Sequence, residues 1–160
     1  AEGASVTFDN TDGFEIVDAG EVTFENIDIK VENNEEGWQG IYGIQAYGAS
    51  KAVFKDISVT GADAGILVNG AEAALEGVVD VSGNEFGGIE VSKGAAAETS
   101  PKLTASAAAL RNESESAVNP TIWIDKVSEL TEAVVEAADM HSYKPEEKDQ
   151  LYFFINETAE

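Results

Sequence analysis

Cysteine is absent from this chain, and methionine and histidine occur once each among its 160 residues. Without cysteine there is neither a disulfide framework nor a thiolate metal site, so stability must come from burial and backbone hydrogen bonding. A single histidine, His141, excludes the usual histidine-rich zinc sites and leaves oxygen ligands as the metal option. No cofactor is expected; calcium held by surface carboxylates is the one that the composition leaves open. Positive charge is scarce as well. Nine lysine and arginine residues stand against 31 aspartates and glutamates, a formal charge of -22. A surface this negative repels phosphate backbones and anionic lipid heads, which argues against nucleic acid and membrane surfaces as partners. No apolar run approaches the roughly 20 residues of a membrane-spanning helix, so no membrane insertion is expected.

The chain opens at Ala1-Glu2-Gly3 without methionine, basic segment or apolar stretch, which suggests a mature or truncated chain whose targeting signal has been removed. Absent cysteine fits a secreted or cell-surface bacterial protein. The acidity has three explanations that remain open: solubility of a secreted protein, calcium binding by surface carboxylates, and adaptation to high salt. The apolar fraction, 43%, is that of a globular chain and not of a disordered one. The length suits one domain.

What the chain does have is a repeat. An apolar residue, any residue, then Asn, Asp or Gly recurs as Phe8-Asp9-Asn10, Phe24-Glu25-Asn26, Phe54-Lys55-Asp56, Leu75-Glu76-Gly77 and Leu110-Arg111-Asn112. Interleaved with it is Gly-Ile-x-Val or a variant: Gly43-Ile44-Gln45-Ala46, Gly65-Ile66-Leu67-Val68 and Gly88-Ile89-Glu90-Val91. Ile44 to Ile66 is 22 residues and Ile66 to Ile89 is 23. Two offsets break the rule and require insertions near residues 32–41 and 94–106.

Apolar–polar alternation over four to six positions marks half-buried strands. About 22 residues hold three such short strands with tight turns, one circuit of a narrow parallel β-helix. Asn, Asp and Gly tolerate the left-handed backbone with least strain, so Asn26, Asp56, Gly77 and Asn112 are expected to form one stack of corners. Phe24, Phe54 and Leu75 should form one internal column, and Ile44, Ile66 and Ile89 another. The expected fold is all-β, a solenoid of about five coils over residues 1–127, with residues 128–160 as cap or last coil. An antiparallel sandwich of short strands is the competing architecture, but hairpins would not preserve a 22-residue register.

Glu21-Val22-Thr23-Phe24-Glu25-Asn26-Ile27-Asp28-Ile29 and Ala64-Gly65-Ile66-Leu67-Val68-Asn69-Gly70 resemble coils of the pectin-lyase-like family of right-handed parallel β-helices. The resemblance spans roughly residues 4–126 and implies a fold, not a substrate. Leucine-rich repeats have a similar period, but their Leu-x-x-Leu-x-Leu signature is missing. Beyond residue 127 the reading divides. Ser128 through Met140 suits a short helix with Ser128 as cap, or another coil; Leu151-Tyr152-Phe153-Phe154-Ile155 favours strands. Either way this segment should cover the exposed end of the stack.

The family's lyases need calcium carboxylates and a basic residue. Here Arg111 is the only arginine and reads as a solvated charge. The hydrolases use aspartates from neighbouring coils; Asp56, Asp63 and Asp80 are the candidates, with Asp56 and Asp80 expected close by stacking. Each has a plainer reading, a corner for Asp56 and a solvated position for Asp63 and Asp80. Asp9, Asp12 and Asp18 with Asn10 resemble a calcium loop without its glycine and glutamate in register.

Aromatic residues give the stronger binding signal. Trp38 and Tyr42 lie in the first insertion, where an aromatic on a loop can stack against a sugar ring or close over the core. Trp123, between Ile122 and Ile124, should point outward if those two point in. Asn112-Glu113-Ser114 and Asn156-Glu157-Thr158 match glycosylation sequons, relevant only in a eukaryotic secretory pathway. The expected function is a non-catalytic secreted or cell-surface module whose partner is a polysaccharide or a surface protein, with Trp38, Tyr42 and Trp123 as ligand-binding residues. The alternative is a polysaccharide-active enzyme, a hydrolase or lyase.

Overall fold

Alternating apolar and polar residues build nearly every element of the computed structural model, which describes residues 3–126, 129–146 and 148–157. The chain is all-β. One sheet contains β1 (Ala4–Asp9), β3 (Glu21–Glu32), β5 (Lys51–Thr60), β7 (Glu72–Asp80), β9 (Lys102–Arg111) and β11 (Val135–Glu136), in that order and parallel throughout. The other contains β2 (Phe14–Val17), β4 (Tyr42–Tyr47), β6 (Ala64–Asn69), β8 (Gly87–Ser92) and β10 (Ile122–Asp125), also parallel. An antiparallel hairpin of β12 (His141–Tyr143) and β13 (Gln150–Phe154) then adds to β10. Parallel neighbours need a crossover connection. Here the crossover between any two parallel neighbours of one sheet runs through a strand of the other.

The registers stack like on like. Phe14, Ile44, Ile66, Ile89 and Ile122 are successive partners, and Phe153 pairs with the last of them. Phe24, Phe54 and Leu75 are partners in the first sheet, as are Ile27, Ile57, Val79 and Leu110. Both sheets turn these columns into one core, in which Ile44, Phe54, Ile66 and Ile89 are wholly buried. Burying one such side chain stabilises by about 2 kcal/mol. The antiparallel sandwich is excluded by these parallel ladders.

The expected three short strands per repeat are two, because the first is long and bent. In β5, Phe54 and Ile57 both face inward while Lys55 and Asp56 both face out. Asp56 takes a left-handed backbone, φ 50°, which inserts that phase change and turns the strand. Asn26 (φ 54°) does the same in β3; Gly77 (φ 62°) is left-handed at the equivalent place in β7, where the inward Leu75 and Val79 are four apart and one extra residue lies opposite Asp56.

Two expected corner triplets fall out of register. Leu110 pairs with Val79 and Arg111 with Asp80, so Asn112 lies past the end of β9, and Ala108 is what pairs with Gly77. The cause is an irregularity in β9, where two residues lie between the partners of Ala74 and Glu76. Likewise Phe8 pairs with Val31, not with Phe24. The insertions are residues 33–41 and 93–101, and both lead from a strand of one sheet to a strand of the other.

In the tail, the one helical turn among the described residues is a 3₁₀ segment, Glu132–Val134, followed by β11; Ser128 and its expected cap lie outside the described residues. Leu130, Leu151 and Phe153 join the core, so this segment covers the end beyond β9 and β10.

Candidate functional site

The outer face of the second sheet begins with its alternation. With Ile89 and Val91 turned into the core, Glu90 must face outward, and the same logic sends Trp123 out between Ile122 and Ile124. Register then lines up Glu15, Gln45, Leu67, Glu90, Trp123 and Tyr152 as one row across six strands. Most of this outer row is covered: Gln45, Leu67, Glu90, Trp123 and Tyr152 are all buried. Tyr42, Ala64, Leu67, Trp123, Tyr152 and Phe154 form a second apolar cluster, separate from the core between the sheets.

Over this face opens a cavity of about 380 Å³. Its aromatic walls are Trp38, Tyr42, Phe86, Trp123 and Tyr152, and its polar groups are Glu90, Asp125, Lys148 and Gln150. Trp38 is 48% exposed and stands edge-on to both Tyr42 (centroids 5.8 Å apart) and Phe86 (5.5 Å). It is a rim residue, not a plug in the core. Gly87 makes room for the opposite wall: a Cβ there would lie 2.6 Å from Cζ3 of Trp123, and its φ of 154° also favours glycine.

All three aromatic residues singled out in the sequence line this one cavity. No family model matches the sequence, and no curated protein or solved structure matches it either.

Inside the cavity, the Tyr42 hydroxyl donates to Glu90 Oε2 at 2.5 Å. Burial pushes the Glu90 carboxyl above the ordinary carboxylate range; the Tyr42 hydrogen bond works against this, and the nearby Asp125 carboxylate adds to it. The Tyr42 phenol is likewise pushed up by burial and by Glu90, so it stays a donor. Lys148 brings its ammonium 3.1 Å from the Tyr152 hydroxyl and 5.8 Å from that ring's centroid.

The loop bearing Trp38 is held from below by Asp63. Asp63 is wholly buried, and its carboxylate accepts from Asn33 Nδ2 (2.6 Å) and from the backbone N–H groups of Gln39 (2.6 Å) and Ile41 (3.0 Å). The solvated position expected for it is thereby corrected: three donors of the insertion converge on this carboxylate. Asp56 accepts from Val78 N at 2.9 Å as a corner residue, and Asp80 accepts from Ser82 N at 2.9 Å. Asp80 pairs with Ser58, not Asp56, so stacking does not assemble the three aspartates into a site.

The carboxylates resembling a calcium loop serve separate backbone amides, Asp12 that of Tyr42 and Asp18 that of Ala49, both at 3.0 Å. Among the described residues no three acidic or histidine side chains gather as a metal site. His141 lies 3.8 Å from Glu157, and Arg111 is an exposed strand end. The Asn112 side chain is buried, its Nδ2 without a hydrogen-bond partner, which withdraws that sequon from the surface; Thr158 of the other lies outside the described residues.

Glu90 and Tyr152 were missed by sequence reasoning although a signal existed. The column Ile89–Ile122 that places Trp123 outward places Glu90 beside it, and Leu151 and Phe153 do the same for Tyr152. Phe86 and Lys148 sit on loops, where periodicity carries no information.

Proposed function

We propose that this chain is a right-handed parallel β-helix module of five coils, akin to the pectin-lyase-like fold, that is secreted or displayed at a cell surface and binds carbohydrate without catalysis. Alternation of strands between two sheets, with steps of 22 and 23 residues from Ile44 to Ile66 to Ile89, supports the coiled architecture. A formal charge of -22 favours solubility, which suits a secreted or surface-displayed chain. One observation carries the binding reading: Trp38, Tyr42 and Trp123 line a single cavity of about 380 Å³ that also holds hydrogen-bonding groups. Sugar rings offer apolar faces for aromatic stacking and hydroxyls for carboxylates and amides, and the volume lies within the ~300–1,000 Å³ of small-ligand pockets.

The two tryptophans of the chain both line this cavity, so their fluorescence reports its occupancy. A glycan array followed by fluorescence titration of the positives is expected to find ligands whose affinity falls at least tenfold in Trp38→Ala. An array without a single positive would remove the reading.

A second reading is favoured by Glu90 and Asp125. They lie on neighbouring strands and face one cavity, with Glu90 held toward its protonated form. An acid and a base so placed suit glycosidic cleavage, and an enzyme would then use these residues rather than Asp56, Asp63 or Asp80. Release of reducing sugar from a polysaccharide panel, with and without calcium, that is lost in Glu90→Gln would favour catalysis over binding alone.

A further inference from the structure

The charges in the aromatic cavity narrow what it can hold. Glu90 and Asp125 bring two carboxylates to it, and among the described residues neither takes part in an ion pair. Glu90 is buried, and the donor it meets at close range is the neutral Tyr42 hydroxyl. A buried carboxylate without a counter-charge is costly, and a cation delivered by a ligand would offset that cost. The walls suit the same guest, because the faces of tyrosine and tryptophan attract ammonium groups. The Lys148 ammonium, 3.1 Å from the Tyr152 hydroxyl, already places one cation at the cavity's edge. A net charge of -22 repels uronate polymers and draws cations in from a distance.

We infer that the ligand of this site is a saccharide bearing a protonated amine, a hexosamine unit with its amino group free, and not a neutral or uronic sugar. The inference rests on the carbohydrate-binding reading above and adds the charge class. The amine sits between Glu90 and Asp125 while the ring stacks on the aromatic walls. Lys148 occupies the edge of the same site as a tethered competitor.

Calorimetric titration with glucosamine di- and trisaccharides, set against their N-acetylated counterparts, tests this at about pH 6 and ~0.15 M salt, where diffuse attraction is screened. The free amines are expected to bind at least tenfold tighter. Glu90→Gln should abolish most of that preference. Glu76→Gln, which removes the same charge from the exposed side of β7, should leave it intact. Should Glu90→Gln melt too low to assay, Asp125→Asn carries the same expectation. Lys148→Met should raise affinity for the amines severalfold.

Equal or tighter binding of the N-acetylated sugars overturns the inference while leaving a carbohydrate site in place. Equal losses in Glu76→Gln and Glu90→Gln overturn it as well, since attraction would then be diffuse. If neither series nor any arrayed glycan alters tryptophan fluorescence, the carbohydrate reading falls with it.

Discussion

Asp63 offers the most direct test of how the loop bearing Trp38 is built. Its carboxylate accepts three hydrogen bonds from residues 33–41, two of them from the backbone N–H groups of Gln39 and Ile41. In Asp63→Ala those donors lose their acceptor beneath the loop. A hydrogen bond to a charged group is worth about 1.5–3 kcal/mol, and each stranded buried donor costs about 1–3 kcal/mol. Loop relaxation and entering water recover part of this, so a net loss of about 3 kcal/mol is expected. For a chain of this size that lowers the melting temperature by roughly 6–12 °C. Denaturant unfolding measures the loss directly, and amide exchange at Gln39 and Ile41 should accelerate more than exchange at Ile66. Because Trp38 rides on the same loop, tryptophan fluorescence should shift even where the fold persists. A destabilisation below about 0.5 kcal/mol, with unchanged exchange, would refute the claim that Asp63 anchors the insertion.

Three further outcomes follow from the packing and the cavity. Ile66→Ala, in the middle of the column Ile44–Ile66–Ile89, should cost about 3–4 kcal/mol by urea unfolding, since rigid neighbours on both sides prevent collapse. Gly87→Ala should cost about 1–3 kcal/mol and displace the Trp123 ring, read as a change in tryptophan emission and in ligand affinity. The third concerns pH. Glu90 in the folded chain holds its proton to higher pH than its ordinary 4.5, in surroundings that include Tyr42, Tyr47, Asp125 and Lys148. Its contribution is therefore favourable at acid pH and is lost as pH rises through the raised value. Glu90→Gln should match the parent chain in stability near pH 4 and exceed it at pH 7; a gain that shrinks with rising pH would contradict the burial argument.

Much of the architecture was legible because it repeats. Ile44, Ile66 and Ile89 recur at a near-fixed spacing, and one period predicts one column of partners. The triplet Leu110-Arg111-Asn112 misled for the same reason: its composition matched the corner motif, but the irregularity in β9 had already shifted the register. Composition alone does not count residues through such a shift. Trp123 was legible because its neighbours fix its direction, and Glu90 stood in the same row without being noticed. Asp63 was not legible at all. Its role depends on where a non-repeating loop folds back, and no local pattern encodes that.

The row Gln45, Leu67, Glu90, Trp123 and Tyr152 draws each member from a different strand, about 4.8 Å from the next. Gain or loss of one whole repeat would therefore lengthen or shorten this row by a fixed step while leaving every other rung intact. The outer face of such a molecule can be edited in units of length through duplication, and in units of chemistry through single substitutions. The two kinds of change do not interfere with each other.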